Sequence, residues 1–96
     1  DKNYRLLREH TVEAERALYA IEEALKKDGN ELLNNDEKSI INTSIKYLKQ
    51  AITLNDLKSI KDATNQLERT CEFYVERRMN NSIKSLITGK DINDII

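Results

Sequence analysis

Hydrophobic side chains recur at spacings of three and four along the first part of the chain, which is the period of one face of an α-helix. This pattern predicts a first helix over about residues 2–27. The positions that form the hydrophobic stripe are Leu7, Thr11, Ala14, Leu18, Ile21 and Leu25. Asp28, Gly29 and Asn30 follow, and we expect Gly29 to end the helix because glycine readily adopts the left-handed backbone conformation.

Two leucines, Leu32 and Leu33, lie in the predicted connector of about seven residues that comes next. Leucines in a connector are expected to close the end of a hydrophobic core. Asn34 and Glu37 have the spacing of a capping box, in which two side chains satisfy free amides at a helix start. A second helix is therefore predicted over about residues 35–53. Its hydrophobic positions are Ile41, Ile45, Leu48 and Ile52.

A second turn is predicted at Asn55 and Asp56, because either side chain can accept hydrogen bonds from the free amides of the next helix. The third helix is predicted over about residues 56–88. Its hydrophobic stripe contains Leu57, Ile60, Thr64, Leu67, Cys71 and Tyr74, and it continues more loosely through Met79, Ile83 and Leu86. The tail KDINDII has no strong period and is expected to fray or to form a short helical turn.

Three helices with short connections predict an all-α fold, an antiparallel three-helix bundle that forms one domain over residues 1–96. At about 1.5 Å per residue, the first helix is about 38 Å long and the second about 28 Å. The second helix cannot cover the first, so about ten N-terminal residues are expected to project beyond the bundle. The long third helix is expected to overshoot its partner or to bend between Phe73 and residues 80–82.

The composition favours an all-helical chain, because the 96 residues include two glycines and no proline, the residues that weaken or break helix interiors. Sixteen bases and 17 acids give a formal net charge of −1, so no nucleic acid and no membrane is expected as a partner. The chain shows no hydrophobic run of about 20 residues that could span a membrane, and no signal peptide. Its single cysteine fits a reducing compartment, either the cytoplasm or one like the mitochondrial matrix.

Residues that could carry catalysis or bind a metal are few. His10 is the only histidine, and with Glu9 and Glu13 it falls short of the two Glu-x-x-His motifs of di-iron bundles. Cys71 lies on a hydrophobic stripe and is expected to pack as a small hydrophobic residue. The run ERR at 76–78 and two nearby lysines form a basic patch among acids. The sequence therefore predicts no catalytic residue, no metal site and no cofactor site.

Tyr4, Leu6, Leu7 and Val12 place hydrophobic side chains on the part of the first helix that is expected to project. A hydrophobic surface that no other helix covers is expected to contact something else. One interpretation is a partner surface. The other is a contact with residues outside this chain, which we expect to be a fragment because it begins in helical pattern without a cap. The isolated fragment could also self-associate through these residues.

The chain resembles a known family over essentially its whole length. The stretches VEAERALYAIEEAL, LLNNDEKSII and LKSIKDATNQLERTCEFYVERRMNNSIKSLITGK are similar, in order and spacing, to the C-terminal helical lid of the DnaK-type, seventy-kilodalton heat-shock chaperones. VEAER, ERRMNNS and an end soon after TGKDINDII resemble the branch that serves iron–sulfur cluster assembly. The resemblance implies a lid that closes over a peptide held by a β-sandwich domain of the same chain, under the control of a separate ATPase domain.

The resemblance also implies one site residue and two partners. The family has an acidic residue on the lid helix that forms a latch with a base of the sandwich domain. Glu15 falls at this position when residues are counted back from the LLNNDE connector, and Glu13 is the alternative. The implied client is the cluster scaffold protein IscU, and a J-type co-chaperone would stimulate the ATPase. The resemblance implies that ATP is a cofactor of the full-length protein, and no cofactor is expected in this chain.

Two functions are therefore considered. The first is a chaperone lid without activity of its own. The second is a free-standing helical module that docks a partner helix. A contiguous exposed hydrophobic groove on the body of the bundle would favour the second function, and hydrophobic exposure confined to the projecting end would favour the first.

Overall fold

The computed structural model describes residues 2–84 and 86, and these residues form an all-α structure with three main helices. Helix α1 spans Lys2–Ala24 and continues directly into a π-helical turn at Leu25–Gly29 and the short helix α2 at Asn30–Leu32. Helix α3 spans Asn35–Leu54, and helix α4 spans Leu57–Lys84. The prediction of an all-α chain with three main helices is confirmed.

The end of the first helix differs from the prediction. Gly29 is not left-handed, because its φ of −58° and ψ of −40° are those of a right-handed helix. The backbone remains helical to Leu32, so the predicted seven-residue connector is reduced to Leu33 and Asn34. Gly29 is buried, and a Cβ atom at this position would lie 3.3 Å from Cδ2 of Leu25. The glycine therefore provides space for close packing inside the π-helical turn.

The connection between α2 and α3 has the local structure that the sequence predicts. Leu33 has an extended backbone and is buried in the core, and Leu32 packs against that core from its edge. The Asn34 side chain accepts a hydrogen bond from the Glu37 amide at 2.8 Å, and the Glu37 carboxylate accepts one from the Asn34 amide at 3.0 Å. Both the closing role of the leucines and the capping box are confirmed.

Of the two residues predicted to cap the start of α4, Asp56 has this role, and Asn55 instead ends α3. Asn55 ends α3 with a φ of 58°, the left-handed conformation that asparagine tolerates better than most residues. Asp56 then accepts hydrogen bonds from the amide and the hydroxyl of Ser59, at 3.0 and 2.8 Å. These hydrogen bonds hold the pKa of Asp56 below its ordinary value.

The core is formed by the stripes of the three main helices and by Leu33. Its buried hydrophobic residues are Ala14, Leu18, Ile21, Ala24, Leu33, Ile41, Ile45, Leu48, Ala51, Ile60, Leu67, Cys71 and Tyr74. Polar contacts join the helices at several levels. The hydroxyl of Ser44 on α3 donates to that of Thr70 on α4 at 3.2 Å, and Lys49 on α3 pairs with Glu22 on α1 at 3.0 Å.

The two long helices extend beyond the common core. The first buried residue of α1 is Ala14, so residues 2–13 contribute no fully buried side chain. Helix α4 continues without a break through the predicted bend as far as Lys84. The molecule is 62 Å long, more than the roughly 42 Å of a 28-residue helix, so the helices are offset along their length. The rest of the predicted third helix, except Leu86, and the KDINDII tail lie outside the described residues.

We expect Asn34→Ala to lower the free energy of unfolding by about 1 kcal/mol, because it removes the side chain that caps α3. Asn35→Ala is the matched control, since Asn35 is exposed and takes no part in the capping box. Chemical denaturation followed by circular dichroism would measure both variants. Equal stability of the two variants would contradict this account of the cap.

Candidate functional site

The hydrophobic residues predicted to project lie in two different settings. Tyr4 is 64% exposed and Val12 is 36% exposed. Leu6 is partly buried, and Leu7 is partly buried and packs against the core. The open part of this surface is therefore formed by Tyr4 and Val12, while Leu7 lies at the edge of the core.

Three arginines share this face of α1, and sequence reasoning missed them. Arg5, Arg8 and Arg16 line a shallow depression on α1, and its other lining residues are Tyr4, Glu9, His10, Val12 and Glu13. None of these arginines forms an ion pair with another described residue. We call Tyr4, Arg5, Arg8, Val12 and Arg16 the arm face. Their helical spacing, away from the core stripe, could have identified this face from the sequence. Arginines on a helix surface, however, usually do no more than contact solvent.

The two latch candidates differ in their surroundings. Glu13 has a local partner, because its carboxylate lies 3.6 Å from Nδ1 of His10. Glu15 is exposed and forms no hydrogen bond or ion pair within the described part of the chain. At helical spacing, Glu15 follows Val12 by three positions and lies beside the arm face. Its carboxylate is therefore open to a base from outside the bundle.

The C-terminal end of α1 is fixed to α4 through a buried tyrosine. Tyr74 is 0% exposed. Its hydroxyl lies 2.7 Å from the carbonyl oxygen of Ala24 and also contacts the Asp28 carboxylate, to which it donates. Nε of Arg78 donates to the other Asp28 oxygen at 2.8 Å. We call Tyr74, Asp28 and Arg78 the tyrosine junction.

The tyrosine junction favours the charged form of Asp28. Burial acts to raise the pKa of Asp28, but the hydrogen bonds from Tyr74 and Arg78 and the positive charge of Arg78 outweigh it, so the pKa is lowered. Burial and the neighbouring carboxylate raise the pKa of Tyr74. The phenol therefore keeps its proton and remains a donor to the end of α1.

Arg77 joins α4 to the start of α3. Its guanidinium donates two hydrogen bonds of 2.7 Å to the two carboxylate oxygens of Glu37, and one of 2.8 Å to the carbonyl of Leu32. It also lies 4.9 Å from the centre of the Phe73 ring, within the range of a cation–π contact. The hydrogen bonds from Arg77 and from the Asn34 amide lower the pKa of Glu37 to about 2.

These pairs change the interpretation of the basic patch at 76–78. Arg77 and Arg78 are each neutralised by a carboxylate from another part of the bundle, so their role is structural. Of the two lysines assigned to the patch, Lys84 is described and exposed, and Lys90 lies outside the described residues. The sequence shows the run of charged residues but not the acidic partners of the two arginines, which lie 40 and 50 residues away along the chain.

The other candidates for chemistry lie apart from one another. Cys71 is buried, as its position on the stripe predicts, and burial raises its thiol pKa to about 11. Across residues 2–84 and 86, no three His, Cys, Asp or Glu side chains come together in a way that could bind a metal ion. None of the helices in this range is long and hydrophobic enough to cross a membrane.

Comparison with known proteins finds HscA chaperones among the relatives of this chain. Over 95 residues, 99% of the chain, the sequence is 34% identical to the chaperone protein HscA homolog of Pseudomonas putida, 40% identical to that of Aromatoleum aromaticum and 38% identical to that of Shewanella putrefaciens. The chain spans about 15% of the length of these curated relatives and matches their C-terminal region. No family model and no solved structure matches the chain.

We expect the pair between Arg77 and Glu37 to make the bundle sensitive to acid. The folded-state pKa of Glu37 is about 2 and the ordinary value is 4.5, so the pair stabilises the folded state above about pH 4.5. This stabilisation is lost as the pH falls from 4.5 to about 2. Arg77→Met should therefore flatten the fall in unfolding free energy across this range, measured by urea denaturation at several pH values.

Arg69→Met is the control for this experiment, because Arg69 is an exposed arginine of the same helix without an ion pair to a described residue. It should keep the pH dependence of the original protein. Arg77→Met should retain some dependence, because the pKa values of Asp28 and Asp56 are also lowered. An unchanged slope in Arg77→Met would show that Glu37 does not depend on Arg77.

Proposed function

Because this chain is a homologue of the C-terminal region of the HscA chaperones, we propose that it is the helical lid of such a chaperone. In this proposal the lid closes over a peptide held by an adjacent β-sandwich domain of the same protein. The full-length chaperone is an ATPase through a separate domain, and nucleotide exchange and hydrolysis control opening and closing. The lid itself contributes no catalytic group.

The observation that carries the proposal is the uncovered N-terminal part of α1. Residues 2–13 include no fully buried side chain, and Leu7 only reaches the edge of the core. The arm face presents Tyr4, Val12 and three arginines without an ion-pair partner among the described residues. A helix that has hydrophobic and charged side chains but no neighbour on this face is suited to cover a surface outside the bundle. The remainder of the chain holds this helix in place.

Interhelical contacts support an antiparallel bundle as the anchor. Glu37 and Ser44 of α3 contact Arg77 and Thr70 of α4, respectively. Residue numbers therefore increase along α3 as they decrease along α4. Tyr74 contacts Ala24 and Arg78 contacts Asp28, so residue numbers increase in the same direction along α4 and along the end of the first helix. In the proposed bundle α1 and α4 are therefore parallel neighbours, and α3 runs in the opposite direction.

We assign the latch to Glu15. Its carboxylate is exposed and unpaired within the described residues, while that of Glu13 is close to His10. An exposed ion pair with a base of the sandwich domain would contribute less than about 1 kcal/mol. A contribution of this size would bias the lid toward the closed state and still allow it to open.

The partners proposed for the full-length protein come from the family resemblance. Since the HscA resemblance points to iron–sulfur cluster assembly, the proposed client is the scaffold protein IscU, and a J-type co-chaperone is proposed to stimulate the ATPase. The proposed location is the cytoplasm or another reducing compartment such as the mitochondrial matrix. A buried, protonated Cys71 thiol is compatible with such a compartment.

A second candidate function is a helical module that docks a partner helix on the body of the bundle. The observation in its favour is a groove between α1 and α4, lined mainly by hydrophobic side chains. Hydrophobic exposure is therefore not confined to the projecting end of α1. The two functions do not exclude each other, because the groove and the arm face lie on different parts of the surface.

We expect Glu15→Ala in the full-length chaperone to release peptide faster in the ADP state, by up to about fivefold, since the latch contributes less than about 1 kcal/mol. The measurement is the dissociation rate of a fluorescent client peptide. Glu31→Ala is the matched control, because Glu31 is also an exposed acid but lies on α2 at the far end of the bundle. An unchanged rate in Glu15→Ala, or an equal increase in Glu31→Ala, would remove the latch assignment.

We also expect the chain alone to fold, to hydrolyse no ATP and to bind client peptide only weakly, because the peptide and nucleotide sites are proposed to lie in other domains. Circular dichroism, phosphate release and peptide anisotropy would measure these three properties. Tight binding of the client peptide by the isolated chain would contradict the proposal that the client site lies in another domain.

A further inference from the structure

The groove between α1 and α4 lies on the body of the bundle. Its floor is formed by Ala17, Ala20, Ile21 and Ala24 of α1 and by Cys71 and Val75 of α4. Ile21, Ala24 and Cys71 are buried, and Ala20 and Val75 are exposed at the surface. The alanines leave room for another backbone to approach closely. We call this surface the α1–α4 groove.

The hydrophobic surface continues beyond the floor along α4. Met79 and Ile83 follow Val75 at intervals of four residues, and they are 60% and 51% exposed. Residues at this spacing lie on one face of a helix. From Glu68 to Ile83 the surface is about 22 Å long at 1.5 Å per residue. This length corresponds to about four turns of a bound helix.

One wall of the groove is acidic. Glu68, Glu72 and Glu76 line it at intervals of four residues along α4. Arg78 also lines the groove, but it is paired with Asp28. Like charges at this spacing destabilise a helix by a few tenths of a kcal/mol for each pair. None of the three carboxylates has an ion-pair partner among the described residues. Basic side chains from outside the bundle would relieve this repulsion.

We propose that the α1–α4 groove binds a basic amphipathic helix of a partner protein. The hydrophobic face of that helix packs on the alanines and Val75, and its lysine or arginine side chains pair with Glu68, Glu72 and Glu76. Hydrophobic burial supplies most of the affinity, and the acidic wall selects the charge of the partner. The inference does not depend on the lid role, because none of these residues belongs to the arm face.

The probe for this proposal is an 18-residue peptide of leucine and lysine, with leucine at the spacing of one helix face. Its binding to the whole chain would be measured by isothermal titration calorimetry. A peptide of the same composition, permuted so that no hydrophobic face forms, carries the same charge. The amphipathic peptide should bind, and the permuted peptide should bind at least about tenfold more weakly. Equal binding of the two peptides would overturn the proposal.

The double variant Glu72→Gln, Glu76→Gln should weaken binding of the amphipathic peptide about fivefold, as expected for two partly exposed ion pairs. The matched control is Glu31→Gln, Asp62→Asn, which removes the same charge from two exposed positions that do not line the groove. An equal loss in the control would show that only the overall charge of the bundle attracts the peptide. That result would overturn the proposal.

Ala20→Glu separates packing from charge, because it adds an acid to the groove and also obstructs its floor. Binding in the groove should become weaker in this variant, whereas attraction by charge alone would become stronger and would contradict the proposal. Circular dichroism checks that each variant remains helical. Light scattering of the chain without peptide tests for a second copy in the groove. A dimer that Glu72→Gln, Glu76→Gln dissociates would overturn the assignment to a partner protein.

Discussion

The hydrogen bonds of one buried phenol determine how the long helices meet. A tyrosine that is completely removed from water must keep a partner for its hydroxyl, because a buried polar group without a hydrogen bond is costly. Tyr74 finds its partners at the end of α1, in the Ala24 carbonyl and the Asp28 carboxylate. Both groups lie at the π-helical turn. Because a π-helical turn is wider than an α-helical one, its backbone groups point in different directions. The core residues on either side then pack in the register that this contact sets.

This arrangement gives the two ends of α1 different properties. At its C-terminal end, the tyrosine junction and the pair between Arg77 and Glu37 connect the helix, the short α2 and the start of α3 to one side of α4. At its N-terminal end, the helix continues for twelve residues before its first buried side chain, Ala14. The lid proposed here would require a firmly held base and a free surface, and α1 has both.

The sequence predicted those parts of the fold that depend on residues close together in the chain. The stripes of the three helices, the closing position of Leu33 and the cap at Asn34 could be predicted because each depends on residues within a few positions of one another. The tyrosine junction and the pair between Arg77 and Glu37 could not, since they join residues 40 to 50 positions apart. Gly29 was misinterpreted because left-handed backbone and close packing both favour glycine, and the sequence does not distinguish them. The arm face was predicted only in part, because exposed arginines have many roles.

The absence of buried side chains before Ala14 has a mechanical consequence. Leu7 is the first residue of α1 that packs against the core. The turn of α1 before Leu7 can therefore unwind and re-form without opening a cavity in the core. In the proposed lid, the N-terminal tip of α1 would then be adjustable in length while the packed part of the helix stays intact. Under that proposal a bulky client would be accommodated by a shorter tip, so the size of the client would help to set the height of the space beneath the lid.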